Sequence, residues 1–367
     1  MKPSAVATVC FSQAWGGLEM SSVKFTRLFG RAGHASFEAC LPHTPIHQAL
    51  ISEGLEALPL PARDYISPRT TRILRRWIRE RDVKAVFLHS LRDVWLVAPA
   101  LWGLDVKLFG FARMFLQGVS KKGPGHRLMY ARMDALIALS HIQKRSLLSS
   151  LPVPEDKYLV IPNGVDVTRF QPRPRREDIR ASWGIGPGQL VFGLIGRLDR
   201  LKGSLEFIEA AAAILKSHSH ARFVLVGGNT AGADFDKEIR QRLTDLHLSA
   251  DHVLLTDFRK DVPEVMNALD VFVMPSYEEN FANVLLEALA SGLPVIGTNS
   301  GGTPEILDNG QCGLLCEPRS TESLIAAMQT LIENPVQRQS LAQKARQKAL
   351  REYDMNVIFQ RVQSLVP

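Results

Sequence analysis

Four charged side chains in the second half of the chain have the types and spacing for phosphate and sugar chemistry. The run Leu190–Ile195 reads as a strand and ends in Gly196-Arg197-Leu198-Asp199-Arg200-Leu201-Lys202-Gly203. Glycine lets backbone and ligand approach closely. Arg197 offers a planar fork of donors, and Lys202 a point charge one turn of chain later. Two cations at the end of a parallel strand suit a diphosphate; ordinary solvated surface charge is the competing reading. A second strand, Val271–Met274, runs on through Pro275-Ser276-Tyr277-Glu278-Glu279-Asn280-Phe281-Ala282-Asn283 into a helix that carries Glu287. Glu279 lies in the turn before the helix and Glu287 about a turn inside it, so both carboxylates can reach one mouth. Carboxylates accept from the vicinal hydroxyls of sugars. The backbone N–H groups of Ala282 and Asn283, at the helix start, would add an anion site. Alternatively, Glu279 only complements the helix dipole and Glu287 is solvated. Glu287 sits among Leu285, Leu286, Ala288 and Leu289, and a buried carboxylate needs a partner.

Other chemistries lack their residues. No G-x-G-x-x-G opens a domain, and Gly193 and Gly196 have the wrong spacing; no G-x-x-x-x-G-K-[ST] occurs. Dinucleotide enzymes and P-loop ATPases are disfavoured on that ground. No Ser/His/Asp or Cys/His set suggests a nucleophile. Four cysteines are too few for a disulfide scaffold, and Cys312 and Cys316 have no second pair to complete a zinc site. No metal site or cofactor is expected. Nothing singles out a lysine for pyridoxal phosphate.

These residues need strands to hold them, and the chain supplies two sets. In the first half, strands are expected over 5–11, 37–41, 84–88, 106–111, 135–139 and 157–161, with helices opening at Gly16-Gly17 and spanning 68–81, 128–132 and 142–150. In the second half, strands are expected over Leu190–Ile195, 222–226, 252–255, Val271–Met274 and 294–297, alternating with helices over 203–216, 235–246, 262–268 and 282–291. Alternation of this kind implies crossover units and parallel sheets. Pro162, Pro172, Pro174 and Pro187 mark a linker. The division is then 1–168 for the first domain, 169–188 for the linker and 189–352 for the second. The fold class is α/β, two domains in tandem.

The net charge of +7 is uneven. Residues 1–170 hold 23 Lys and Arg against 13 Asp and Glu, or +10; residues 171–367 hold 21 against 24, or −3. Segment 69–81 carries arginines at 69, 72, 75, 76, 79 and 81 with Ile73, Leu74, Trp77 and Ile78 between them. As a helix it could lie on an anionic membrane surface, or pack its apolar face and leave the arginines solvated. No aromatic platform or reader helix points to nucleic acid. The longest apolar stretch, 94–106, is interrupted by Pro99, Gly103 and Asp105 and falls short of the roughly 20 residues a spanning helix needs. The first apolar run reads as a strand and not a signal peptide. The cysteines demand no oxidising compartment, so a cytoplasmic protein is expected, with 69–81 the segment that would make it peripheral on the inner face of the membrane.

Six motifs in order resemble the retaining glycosyltransferases of family 4. They are GGLE at 16–19, IPNGVD at 161–166, GRLDRLKG at 196–203, VGG at 226–228, the Glu279-x7-Glu287 pair, and LASGLPVIGTNSGGTPEI at 289–306. The resemblance covers nearly the whole chain. It implies the GT-B fold, two Rossmann-like α/β domains facing a central cleft, with a final helix over 353–367 returning to the first domain. It implies transfer of a sugar from a nucleoside diphosphate sugar to the hydroxyl of a glycan, lipopolysaccharide or lipid-linked acceptor. Arg197 and Lys202 would hold the diphosphate in place of a metal, beside Gly196. Glu287 would take the ribose hydroxyls. Glu279 would contact the transferred sugar, with the N–H groups of Phe281 and Ala282 beside it. Gly16 and Gly17 would form the loop over the phosphates, and Phe258 and Arg259 would lie near the base.

The sequence also departs from that family. Many relatives carry a His after the strand equivalent to 106–111; here the run is Gly110-Phe111-Ala112-Arg113-Met114-Phe115. Arg113 and, at the end of the 84–88 strand, His89 are the acceptor-side candidates. A strand-end histidine bonded to backbone is the plainer reading of His89. Glu279-Asn280-Phe281-Ala282 replaces the common EGFG, which would alter sugar choice. A protein that binds the donor with little or no transfer is the alternative function.

Overall fold

A computed structural model describes residues 4–61, 66–114, 120–228 and 235–367. Phe115, in the run that replaces the family's histidine, lies outside the described residues. The chain forms two compact units, Met1–Pro162 with Ile358–Pro367, and Asn163–Val357.

The first unit is built on a seven-stranded sheet of order β3-β2-β1-β4-β5-β6-β7, parallel throughout. Its strands are β1 (Ala5–Cys10), β2 (Ser36–Cys40), β3 (Glu56–Pro59), β4 (Val83–Leu88), β5 (Lys107–Ala112), β6 (Ala135–Ala138) and β7 (Tyr158–Val160). Central β1 is buried along its whole length, as a parallel strand covered on both faces must be. Helix α1 (Gly17–Arg31) begins where expected. Gly16 stands at its N-cap, and the Glu19 carboxylate accepts the Gly16 N–H at 2.9 Å and the Ser12 hydroxyl at 2.6 Å. The helix Met355–Gln363 lays Ile358, Phe359 and Val362 into a cluster with Phe25, Phe29 and Phe87.

Two further helices and β3 were not expected. Helix α2 (Pro45–Ser52) is capped by the Thr44 hydroxyl, which accepts the His47 N–H. Helix α3 (Pro68–Glu80) matches the basic segment, and α4 (Val94–Leu101) packs against it. Leu74, Trp77 and Ile78 are the buried stripe of α3, while Arg69, Arg72, Arg76 and Arg79 are exposed. Arg75 and Arg81 have structural partners instead. Arg75 donates to the carbonyls of Ala100 and Trp102 at 2.9 and 2.6 Å, and Arg81 pairs with Glu56 over the Trp77 ring.

In the second unit a six-stranded parallel sheet has the order β10-β9-β8-β11-β12-β13. The strands are β8 (Leu190–Ile195), β9 (Ala221–Val226), β10 (Val253–Thr256), β11 (Val271–Met274), β12 (Val295–Thr298) and β13 (Leu314–Cys316). Residues 169–188, read as a linker, lie within this unit. They contain a short helix, Glu177–Ser182, whose Arg180 is buried and bonded to Asp270 at 3.0 Å. The prolines did not keep this stretch from packing into the unit. In both sheets the strand order reverses once, between β1 and β4 and between β8 and β11. Ligands of open α/β sheets settle outside the carboxyl ends of strands at such points.

Candidate active site

The second unit has a cavity of about 240 Å³ at its reversal point, lined by Gly196, Arg197, Lys202, Ser276, Glu279 and Glu287. All four charged residues singled out by type and spacing therefore meet on one cavity. Each arrives by a local device.

After β8 the chain makes a single tight turn, Arg200–Lys202. The Asp199 carboxylate caps it by accepting the Lys202 N–H at 3.1 Å. Gly203 then adopts φ +70, and a Cβ there would stand 2.1 Å from the Pro275 carbonyl oxygen. Only glycine combines that left-handed backbone with that approach. The loop after β8 is thus seated directly on the end of β11, and the Tyr277 N–H bonds the Leu201 carbonyl at 2.8 Å. Lys202 consequently reaches Glu279 and forms an ion pair with it. Arg197 keeps its side chain 66% exposed, 3.7 Å from Asp199. Arg200, between them, turns outward to Glu238.

The loop after β11 is fixed from three sides. Thr298 of β12 donates its hydroxyl to the Ser276 carbonyl at 2.6 Å. The Gly302 N–H bonds the Glu279 carbonyl at 2.9 Å. Gly301, at φ +57, passes so near that a Cβ would lie 2.0 Å from the same Glu279 oxygen. The Ser300-Gly301-Gly302 run is therefore the seat of the Glu279 turn. Asn163 donates to the Phe281 carbonyl at 3.2 Å, and the Phe281 ring packs on Tyr353 at 5.8 Å. The helix Asn283–Ala290 starts at Ala282 without a side-chain cap, which leaves its first N–H groups suited to an anion. Glu287 is half-buried on it, between four fully buried apolar neighbours.

Other expected residues are placed differently. Phe258 is 73% exposed, and Arg259 is bonded to Asp261 at 2.9 Å. Neither is part of the cavity wall, although Val262 is. Phe281 and Ala282 bury their side chains, so only their backbone can serve a ligand. Gly16 and Gly17 stand at the start of α1 in the first unit. His89 is fully buried against the rings of Phe25 and Phe111. Its backbone N–H bonds the Val9 carbonyl at 3.0 Å, and neither ring nitrogen has a partner among the described residues. Burial, and then the Arg113 charge, hold its pKa well below the usual histidine range. His89 is a core residue. Arg113 lies over the Phe111 ring, 4.6 Å from its centroid, with its pKa pushed down to about 10 by burial.

Three contributors escaped the sequence reading. Asp199 and Thr298 act through single hydrogen bonds that have no pattern in sequence. Ser276 is 1% exposed, lines the cavity, and its hydroxyl has no partner among the described residues. Its place three residues before Glu279 was the one available signal.

The chain matches known proteins along nearly all of this architecture. The model of the family Glycosyl transferases group 1 matches residues 175–348, and that of Glycosyltransferase Family 4 matches 15–169. The chain is 30% identical over 311 residues to D-inositol 3-phosphate glycosyltransferase of Rhodococcus opacus, covering 80% of this chain and 69% of that protein. The chain belongs to the group 1 glycosyl transferases. The UDP-Gal:alpha-D-GlcNAc-diphosphoundecaprenol alpha-1,3-galactosyltransferase of Escherichia coli is 33% identical over 204 residues, which is 55% of this chain and 52% of that protein. Among solved structures, Anabaena HepE in complex with UDP superposes with a TM-score of 0.87 at 21% identity, covering 98% of this chain and 99% of that one. The group 1 transferase therefore has the GT-B architecture of two Rossmann-like α/β domains. Its helix Met355–Gln363 has the residues from Ile358 onward in the first unit.

Proposed function

We propose that the chain is a retaining glycosyltransferase that moves a sugar from a nucleoside diphosphate sugar to a hydroxyl acceptor of the lipid-linked or lipopolysaccharide type. The observation that carries this reading is the meeting of Arg197, Lys202, Glu279 and Glu287 on one cavity at the β8/β11 reversal point. Arg197 and Lys202 stabilise the charge that develops on the departing diphosphate, the role a metal ion plays elsewhere. Lys202 already holds Glu279. A phosphate that takes Lys202 frees the Glu279 carboxylate to accept hydroxyls of the transferred sugar. Glu287 accepts from the ribose, and Phe258, exposed beyond β10, offers a ring face to the base. In this reading Glu279 accepts sugar hydroxyls and does not act as a nucleophile, so the acceptor attacks on the face from which the diphosphate leaves, and the leaving phosphate takes the acceptor proton. The anomeric configuration is then retained.

The acceptor class rests on the family. The E. coli relative is named for a diphosphoundecaprenol acceptor. The exposed arginines of α3 would hold such an enzyme against the anionic inner face of a membrane. Incubation with UDP, GDP and ADP sugars and extracted membrane lipid tests the reading: one donor should release nucleoside diphosphate and label the lipid with retained configuration. Binding of a donor with no transfer to any acceptor, and no hydrolysis, would instead identify a nucleotide-sugar-binding protein.

A further inference from the structure

The turn that carries Glu279 is held by two residues that take no part in the cavity wall. Phe281, two residues on, buries its ring. Asn163 donates its side-chain amide to the Phe281 carbonyl at 3.2 Å, and the Tyr353 ring meets the Phe281 ring edge to face, 5.8 Å between centres. Neither Asn163 nor Tyr353 lines the cavity. Both lie in the second unit, close in sequence to the points where the chain passes from or to the first, at 162/163 and 357/358. Their two segments are tied to each other. The Val165 N–H bonds the Tyr353 carbonyl at 2.8 Å and the Met355 N–H bonds the Val165 carbonyl at 2.9 Å, a parallel bridge between Val165 and Asp354.

Tyr353 is fixed on every side. It ends a π-helical turn, Ala349–Tyr353, a rare widening of the helix that occurs often at functional sites. Its hydroxyl donates to the Glu305 carbonyl at 3.4 Å, and the Lys348 ammonium stands 5.9 Å from its ring centre. Lys348 is held in turn by Asp308 and Glu352, at 3.7 and 3.4 Å. The opposite side of the Glu279 turn rests on Gly301 and Gly302. A turn pressed between a glycine seat and an aromatic wall has one position; without the wall it can rock on the seat. Glu279 and the N–H groups of Ala282 and Asn283 would shift, because they lie within two residues of Phe281. Glu287 would stay, because Leu285, Leu286, Ala288 and Leu289 around it are all fully buried.

We infer that Asn163 and Tyr353 are positioning residues for the sugar end of the donor. Without touching the donor they set where Glu279 stands, so discrimination between a nucleotide sugar and the bare nucleotide is controlled from the segments that join the two units. The inference rests on the transferase reading above, which gives Glu279 to the transferred sugar and Glu287 to the ribose.

Calorimetric titration of the full chain with UDP and UDP-glucose, GDP and GDP-mannose, and ADP and ADP-glucose gives the ratio of nucleotide-sugar to nucleotide affinity for each pair. For the pair that binds wild type, Asn163→Ala and Tyr353→Leu should lower that ratio by roughly three- to tenfold, with affinity for the bare nucleotide nearly unchanged. Tyr353→Phe keeps the ring and should restore the wild-type ratio. Melting curves show which variants are folded; Asn163→Ala, which removes only a side-chain amide, carries the test if Tyr353→Leu does not fold. An unchanged ratio in the folded variants, or equal loss for nucleotide and nucleotide sugar, would overturn the inference and leave the donor site standing. Failure of wild type to bind any of these compounds would overturn the transferase reading, and this inference with it.

Discussion

Lys202 and Glu279 have opposite needs at the same spot. The ammonium neutralises the carboxylate, yet in the proposed reaction a donor phosphate competes for the ammonium. Lys202→Ala should therefore cut kcat by roughly 10²–10³-fold with little change in melting temperature, since the pair is part-exposed and worth little to the fold. Steady-state kinetics beside a melting curve separates the two. Glu287→Ala should act on binding, raising donor KM by roughly tenfold, about 1.4 kcal/mol, with kcat nearly unchanged. A different acid controls pH dependence of stability. Glu38 is fully buried and receives the hydroxyls of Ser22 and Thr26 at 2.6 and 2.8 Å. Burial pushes its pKa up from 4.5 to about 7, against those hydrogen bonds. The folded chain then holds a proton that the unfolded chain releases, so the contribution of Glu38 to stability is full below pH 4.5 and is lost as pH rises through 7. Asp93, pushed up to about 6, adds in the same direction. Thermal melts of wild type should decline from pH 5 to pH 8, and Glu38→Gln should flatten part of that decline. That Arg197, Lys202, Glu279 and Glu287 would come together was legible because all four follow the ends of two strands of one sheet. His89 was not, because the rings that bury it come from α1 and β5, far away in sequence.

At the scale of elements, two glycines do for the site what charge does for the ligand. Gly203→Ala forces a left-handed backbone on alanine, about 1–2 kcal/mol, and drives its Cβ into Pro275. It should lower the melting temperature and also weaken donor binding, because Lys202 moves with the turn. A binding titration on the folded variant checks the second effect. Helix α3 makes a separate prediction. Replacing Arg69, Arg72, Arg76 and Arg79 with glutamine should abolish sedimentation with anionic vesicles and leave the fold intact, because the buried stripe is untouched. Strands were readable from their alternation with helices. Helix α4 was missed because it is buried nearly all round, with Val94, Leu96, Val97, Ala98, Ala100 and Leu101 in the core; a helix without a polar face has no period to read. Strand β3 is a four-residue edge strand ending in proline, too short and too irregular to stand out. The helix Glu177–Ser182 hid among prolines that signal loop.

Across the whole molecule, one plan appears twice. Each unit is an open parallel sheet whose order reverses beside its central strand, and each has a cavity there. The fold class was readable because strand-helix alternation leaves few architectures. Where the chain leaves one unit for the other, at 162/163 and again at 357/358, was not readable from composition, because the proline-rich stretch packs into the second unit. The second unit places Arg197 and Lys202, the cations of its cavity wall, at the end of β8, although its half of the sequence has a net charge of −3 over residues 171–367. If Arg197 and Lys202 supply the charge neutralisation, as proposed, turnover should persist in excess chelator; loss of activity restored by added magnesium would assign that role to a metal instead. The most direct test of the donor site is a titration of UDP, GDP and ADP into wild type, Arg197→Ala, Lys202→Ala and Glu287→Ala, read by calorimetry with melting curves as the control for folding. One nucleotide should bind wild type and lose affinity in all three variants. Equal binding by wild type and variants, or no nucleotide binding to a folded wild type, would contradict the assignment of these residues to a nucleoside diphosphate sugar.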